Sequence, residues 1–137
     1  MKVGIFGTER LGTITDWAKR AEFVYVYALG SKEADDLDAR MPVNVMVTNY
    51  AEDAFEGVDV FVAATTDETL LNVCAHLAEK YLVAGTLLVV EHAPLQSAAK
   101  IFENLRSKDV FVAMTYGPGM IAGMDEDSVA AAKIACA

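Results

Sequence analysis

The segment Val3-Gly4-Ile5-Phe6-Gly7-Thr8-Glu9-Arg10-Leu11-Gly12 sets glycines between an apolar run and a helical pattern. A chain that turns sharply from a strand into a helix presents free backbone N–H groups and the positive end of the helix dipole. That combination holds the phosphates of a nucleotide. A dinucleotide-binding turn asks for one glycine at the tight bend, a second where the backbone approaches the pyrophosphate and a third for close helix–strand packing. Gly7 and Gly12 take the first and third positions, while Glu9 takes the second. Its carboxylate stands where the phosphates would lie, with Arg10 beside it as a counter-charge. Gly7, Thr8, Glu9, Arg10, Leu11 and Gly12 are therefore the first cofactor-binding candidates.

The end of the second apolar run bears on which dinucleotide is held. An acidic residue there binds the ribose 2′-hydroxyl of NAD, and a basic one suits the 2′-phosphate of NADP. The stretch Ala28-Leu29-Gly30-Ser31-Lys32 offers a hydroxyl and an ammonium before its first carboxylate, Glu33. Ser31 and Lys32 thus favour NADP, with NAD the second choice. Ala64, Thr65 and Thr66 follow the fourth run and are candidates for lining the same cleft; Thr66 or Asp67 also suits a helix N-cap.

Hydride transfer needs an acid or base near the nicotinamide, at the carboxyl ends of the strands. His92, in Val90-Glu91-His92-Ala93-Pro94, occupies such a position, and imidazole suits acid–base work near neutral pH. Glu91 could orient it, although neighbours along a strand point to opposite faces. Tyr116, in the Gly-rich stretch 116–123, is the other catalytic candidate, set against a packing role. His76 falls off the apolar stripe of a predicted helix and reads as a surface residue. Cys74 reads as core and Cys136 as a tail residue, and no metal-ligand spacing is present.

These residues need elements to position them. Apolar runs at 2–6, 23–29, 43–47, 58–63, 86–90 and 110–114 read as strands. Helical patterns fall at 10–21, with Leu11, Ile14, Trp17, Ala18 and Ala21 on one stripe, and at 67–81, with Leu70, Cys74, Leu77 and Tyr81. Further helices are predicted at 50–55, 96–105 and 125–136. Residues 31–40 read as a polar loop with a short helical turn, and 116–123 as a loop. Continuous apolar strands alternating with helices predict a doubly wound parallel six-stranded sheet in one α/β domain over 1–137, in the order 3-2-1-4-5-6.

Composition agrees with a single globular domain. Apolar residues make up 54% of the 137 and charged residues 23%. Eleven Lys and Arg against twenty Asp and Glu give a net charge of -9, which argues against nucleic acid or an anionic membrane as partner. No apolar run approaches the roughly 18–20 residues of a membrane span. Two scattered cysteines and a start unlike a secretory signal imply a reducing cytoplasm.

Several of these segments together resemble the NAD(P)-binding Rossmann domain at the N-terminus of the prephenate dehydrogenase and 6-phosphogluconate dehydrogenase-like superfamily. They are the glycine turn, the fourth strand running into Ala64-Thr65-Thr66-Asp67, residues 83–90, and a sixth strand ending in Gly117-Pro118. The resemblance covers nearly the whole chain. It implies oxidoreductase chemistry and a helical C-terminal domain for substrate and dimerisation; this chain ends at Ala137, as a stand-alone cofactor domain or one belonging to a longer protein would. It also implies a His-Pro segment, and aligning on Pro118 puts Gly117 where that histidine would be.

Two functions are therefore expected. One is an NADP-binding domain of an oxidoreductase. The other is a non-catalytic nucleotide-sensing or interaction module with a degenerate glycine turn. Apolar residues beyond Gly119, among them Val129, Ala130 and Ile134, further predict a homodimer through the C-terminal segment.

Overall fold

The computed structural model describes residues 1–8, 11–29, 31–92, 95–116 and 120–136, without the side chains of 31–34 and 95. Its strands are β1 (Lys2–Phe6), β2 (Phe23–Tyr27), β3 (Val45–Thr48), β4 (Val60–Ala63), β5 (Leu87–Glu91), β6 (Phe111–Thr115) and β7 (Ile121–Gly123). Its helices are α1 (Leu11–Arg20), α2 (Ser31–Asp38), α3 (Ala51–Phe55), α4 (Glu68–Tyr81), α5 (Leu95–Ile101) and α6 (Glu126–Ala135), with a 3-10 segment at Glu103–Lys108.

The strands form one sheet in the order β3-β2-β1-β4-β5-β6-β7. The first six are parallel, in the predicted order, and make a Rossmann fold. Their continuous apolar runs follow from burial on both faces. In β4 every residue is buried, and so are Val3 to Phe6 of β1. One face carries α1, α2 and α6 over a core that includes Ile5, Ile14, Trp17, Val26, Val62, Val89 and Ala132. The other carries α3, α4 and α5 over Phe55, Phe61, Leu71, Leu88, Phe102 and Met114. Each large apolar side chain fully buried there is worth about 1.5–3 kcal/mol.

Several expectations are corrected. Residues 121–123 are not loop but a seventh, antiparallel strand, with Met114 opposite Ala122. Three residues are too few for strand periodicity to register, and the surrounding glycines dominate the local signal. The reversal brings the chain back through Met124 and Asp125 into α6, whose Val129 lies so close to Gly123 that a Cβ there would meet Val129 Cγ2 at 2.7 Å.

Residues 31–38 form a full helix instead of a loop with one turn. Leu37 is its buried anchor, and Asp38 Oδ1 accepts a hydrogen bond from the Val47 N–H at 3.0 Å. With Leu37 the one buried anchor among its described side chains, this polar helix offers little periodicity to read. The helix expected over 96–105 divides into α5 and the 3-10 segment.

The buried stripe of α4 consists of Leu71, Cys74, Ala75 and Ala78, while Leu70, Leu77 and Tyr81 flank it. Small alanines let the helix close onto the sheet, so the stripe lies to one side of the one that residue size predicts. Asp67, not Thr66, caps α4, accepting from the Leu70 N–H at 3.1 Å.

Candidate functional site

Strand order reverses between β1 and β4, and in open α/β sheets ligands bind outside the carboxyl ends of the strands at such a point. Phe6 lies opposite Ala63, and the Ala64 N–H donates to the Phe6 carbonyl at 2.9 Å. Gly7 follows at φ +113, backbone that L side chains rarely adopt, and a Cβ on it would stand 3.0 Å from the Ala64 carbonyl oxygen. The dihedral favours glycine at the tight bend, and the close carbonyl adds to that preference.

Gly12 does not do what its place in the motif predicts. Among the described residues nothing lies within 4 Å of where its Cβ would be, and it sits exposed in the first turn of α1. The helix packs through Ile14 and Trp17, so close helix–strand approach here does not need a glycine at 12.

The other cleft candidates gather at the same edge. Thr8 follows Gly7, and Leu11 opens α1 with 43% of its surface exposed. Ala64 and Thr65 are buried, and Thr65 Oγ1 accepts from the Asp67 N–H at 3.2 Å, which fixes the turn into α4 and leaves Thr66 exposed. The first turn of α1 carries no acidic side chain, so its dipole faces this edge uncompensated by the helix itself. Ser31 opens α2 beyond the carboxyl end of β2. Glu9, Arg10, Gly30 and Gly117 lie outside the described residues, as do the side chains of Ser31 and Lys32.

The two catalytic candidates follow paired positions, Glu91 of β5 and Thr115 of β6, yet meet different neighbours: His92 lines a cleft with Trp17 and Tyr116 packs on the opposite face. His92 is exposed at φ 60, and its N–H donates to the Thr115 carbonyl at 2.8 Å. A non-glycine residue held in left-handed backbone carries strain, a feature that gathers at ligand sites. Tyr116 packs half-buried against the core of the α4 and α5 face. Glu91 does not orient His92. It accepts from Thr13 Oγ1 at 3.2 Å and from Trp17 Nε1 at 3.3 Å, both one turn apart on α1.

The side chains around Glu91 line a cleft of about 240 Å³ between α1 and α6, including Arg20, His92, Thr115 and Cys136. Sequence reasoning missed it, because Trp17 reads as core and Cys136 as tail. The available signal is a carboxylate ending an otherwise apolar strand. Cys136 is half-buried, and burial pushes its thiol up, with Arg20 opposing and Glu91 adding to that rise. Burial also pushes the Cys74 thiol far up, in keeping with its place in the core. Among the described residues no group of three or more His, Cys, Asp and Glu could share a metal ion. Nor is any described helix long and apolar enough to cross a membrane.

No protein-family model matches the chain, and no curated protein matches it in sequence. Solved structures do match in fold. The chain is similar to 3-hydroxyisobutyrate dehydrogenase from Mycobacterium tuberculosis with L-serine, at TM-score 0.74 and 15% identity over 98% of this chain and 50% of that one. It is similar to 3-hydroxyisobutyrate dehydrogenase from Salmonella typhimurium, at TM-score 0.67 and 17% identity over 99% and 52%. The imine reductase from Myxococcus stipitatus in complex with NADP+ matches at TM-score 0.64 and 15% identity over 85% and 42%. The chain thus spans about half the length of these structures. At these identities the likeness establishes the fold, and the resemblance drawn from sequence holds at that level.

Proposed function

We propose that this chain binds a dinucleotide across the β1–β4 crevice and serves as the cofactor domain of an oxidoreductase. The observation that carries the reading is the Gly7–Ala64 contact at the point where strand order reverses, with the N-terminus of α1 directly after it. In this reading the turn 7–12 holds the pyrophosphate, and Ala64, Thr65 and Thr66 line the far wall. Ser31 and Lys32 favour NADP over NAD. Solved structures of similar fold include both the imine reductase in complex with NADP+ and an NAD+-dependent dismutase, so the preference rests on Ser31 and Lys32. A bound dinucleotide would supply or accept hydride. The residues of this chain would hold and orient it, and His92, at the carboxyl end of β5, is the stronger of the two candidates for moving a proton.

A second reading is kept by specific residues. Glu9 replaces the middle glycine, Gly117 stands where the resemblance implies a histidine, and Tyr116 packs against the core. These favour a nucleotide-sensing or interaction module without catalysis. Calorimetric titration with NADP, NAD and their reduced forms separates the readings. The oxidoreductase domain binds NADP more tightly than NAD; the module binds either one weakly or not at all.

Assembly through the C-terminal segment belongs to the same proposal. Ile134 is 82% exposed on α6 and Met120 is 61% exposed just before β7. Sedimentation at micromolar concentration is expected to show a dimer, and a monomer there would remove the idea of a site shared between subunits.

A further inference from the structure

Opposite charges line the α1–α6 cleft without pairing. Glu91 reaches it from the end of β5 and Arg20 from the end of α1. Trp17 stands between them. Its indole N–H donates to Glu91 Oε1 at 3.3 Å, and the Arg20 guanidinium lies 4.0 Å from the centre of its ring. Each charge is also held from a second side, Glu91 Oε2 by Thr13 and Arg20 Nη1 by the Ala135 carbonyl at 3.1 Å. No ion pair joins the two among the described residues.

Burying part of a carboxylate at the end of an apolar strand is costly unless something compensates it. Two neutral hydrogen bonds compensate it in part, and each carboxylate oxygen keeps acceptor capacity to spare. Arg20 similarly uses one of its five N–H donors on Ala135 and keeps others. The indole fixes both charges in place while preventing their collapse onto one another. His92, strained at φ 60, stands at the same cleft.

We infer that this cleft is a binding site for a small zwitterion of the amino-acid type, its ammonium on Glu91 and its carboxylate on Arg20. A volume of about 240 Å³ accommodates a compact molecule. Asp16, also at the cleft, adds negative charge and disfavours a simple anion. Arg20 in turn disfavours a simple cation. The two charges that hold the ligand, Arg20 and Glu91, come from α1 and the end of β5 and not from the glycine turn, so binding is testable without dinucleotide.

The test uses the whole chain without dinucleotide. Trp17 is its one tryptophan, so intrinsic fluorescence reports on the cleft directly. Glycine, β-alanine and γ-aminobutyrate are titrated, with acetate and methylammonium as the two half-ligands. At least one zwitterion is expected to change the emission saturably and to bind roughly tenfold or more tightly than either half-ligand, since each half lacks one charge-assisted hydrogen bond. Glu91→Gln and Arg20→Gln should each weaken it by about the same factor, and Arg20→Lys should retain part of the affinity. Arg20 is exposed, so its variants test the site even if Glu91→Gln disturbs folding. The inference is overturned by no saturable change up to tens of millimolar, by acetate or methylammonium binding as well as the zwitterions, or by Arg20→Gln leaving affinity unchanged.

Discussion

Gly7 and Ala64 meet backbone to backbone across the first and fourth strands: a Cβ on Gly7, at φ +113, would stand 3.0 Å from the Ala64 carbonyl oxygen, and the backbone would have to give way. Gly12, five residues on in the same motif, has open space where its Cβ would be. The pair makes opposite predictions. Gly7→Ala should destabilise the fold by about 1–3 kcal/mol through its φ of +113 and this contact, and should abolish dinucleotide binding. Gly12→Ala should stabilise by about 0.4–1 kcal/mol, because alanine is the better helix residue at an exposed position. Urea denaturation of both variants checks this, and equal effects of the two would refute it.

Glu9 supplies the second prediction. If its carboxylate obstructs the pyrophosphate, Glu9→Gly should tighten dinucleotide binding by roughly 1–3 kcal/mol, the cost of a repelled polar group at a buried contact. Unchanged or weaker affinity in calorimetry would sink the obstruction argument.

Lys32 supplies the third. Lys32→Ala should weaken NADP and leave NAD nearly unchanged, with a larger loss at low salt because the contact is charge-assisted. A parallel loss for both cofactors would mean that Lys32 acts through something other than the 2′-phosphate.

The parallel sheet is legible in the sequence because strands covered on both faces must be apolar, as Val3 to Phe6, Val60 to Ala63 and Leu87 to Val90 are. The helix at Ser31–Asp38 is not legible, since its packing rests on Leu37 and on a hydrogen bond that the Val47 N–H of β3 donates to Asp38. The glycine motif mixes the two cases: Gly7 follows from local geometry, but the role of Gly12 depends on how α1 packs. Glu91 shows the limit most clearly. Its neighbour in the chain, His92, draws the eye, yet its partners Thr13 and Trp17 lie 78 and 74 residues away. Only the fold brings them together.

The docking of α6 yields a fourth prediction. Ser128 is buried, and its Oγ accepts from the Val112 N–H at 3.0 Å, while its own N–H donates to Asp125 Oδ1 at 2.8 Å. Ser128→Ala leaves the Val112 N–H without a partner and should cost about 1–3 kcal/mol. The hydrogen bonds from Ser128, backbone first, hold the Asp125 carboxyl below its usual range. A depressed folded-state value means the stabilisation is present above the ordinary carboxylate range and fades as pH falls through the folded value. Asp125→Ala should therefore cost about 0.5–1 kcal/mol near neutrality, at the low end for an exposed cap. That difference should shrink as pH falls below the ordinary carboxylate range and through the lowered folded-state value. Thermal melts of both proteins across pH check the sign, and a difference that grows in acid would contradict it.

The most direct test of the central claim is an amide chemical-shift titration of the isotopically labelled chain with NADP. Binding at the switch point predicts saturable shifts concentrated at Gly7, Thr8, Leu11 and Gly12 and at Ala64 to Thr66, with smaller ones at Ser31 and Lys32 and none along β7. NAD should produce the same pattern at higher concentration and without the shifts at Ser31 and Lys32. An absence of shifts at the β1–β4 crevice, or shifts confined to another face of the sheet, would contradict the assignment of this chain as a dinucleotide-binding domain.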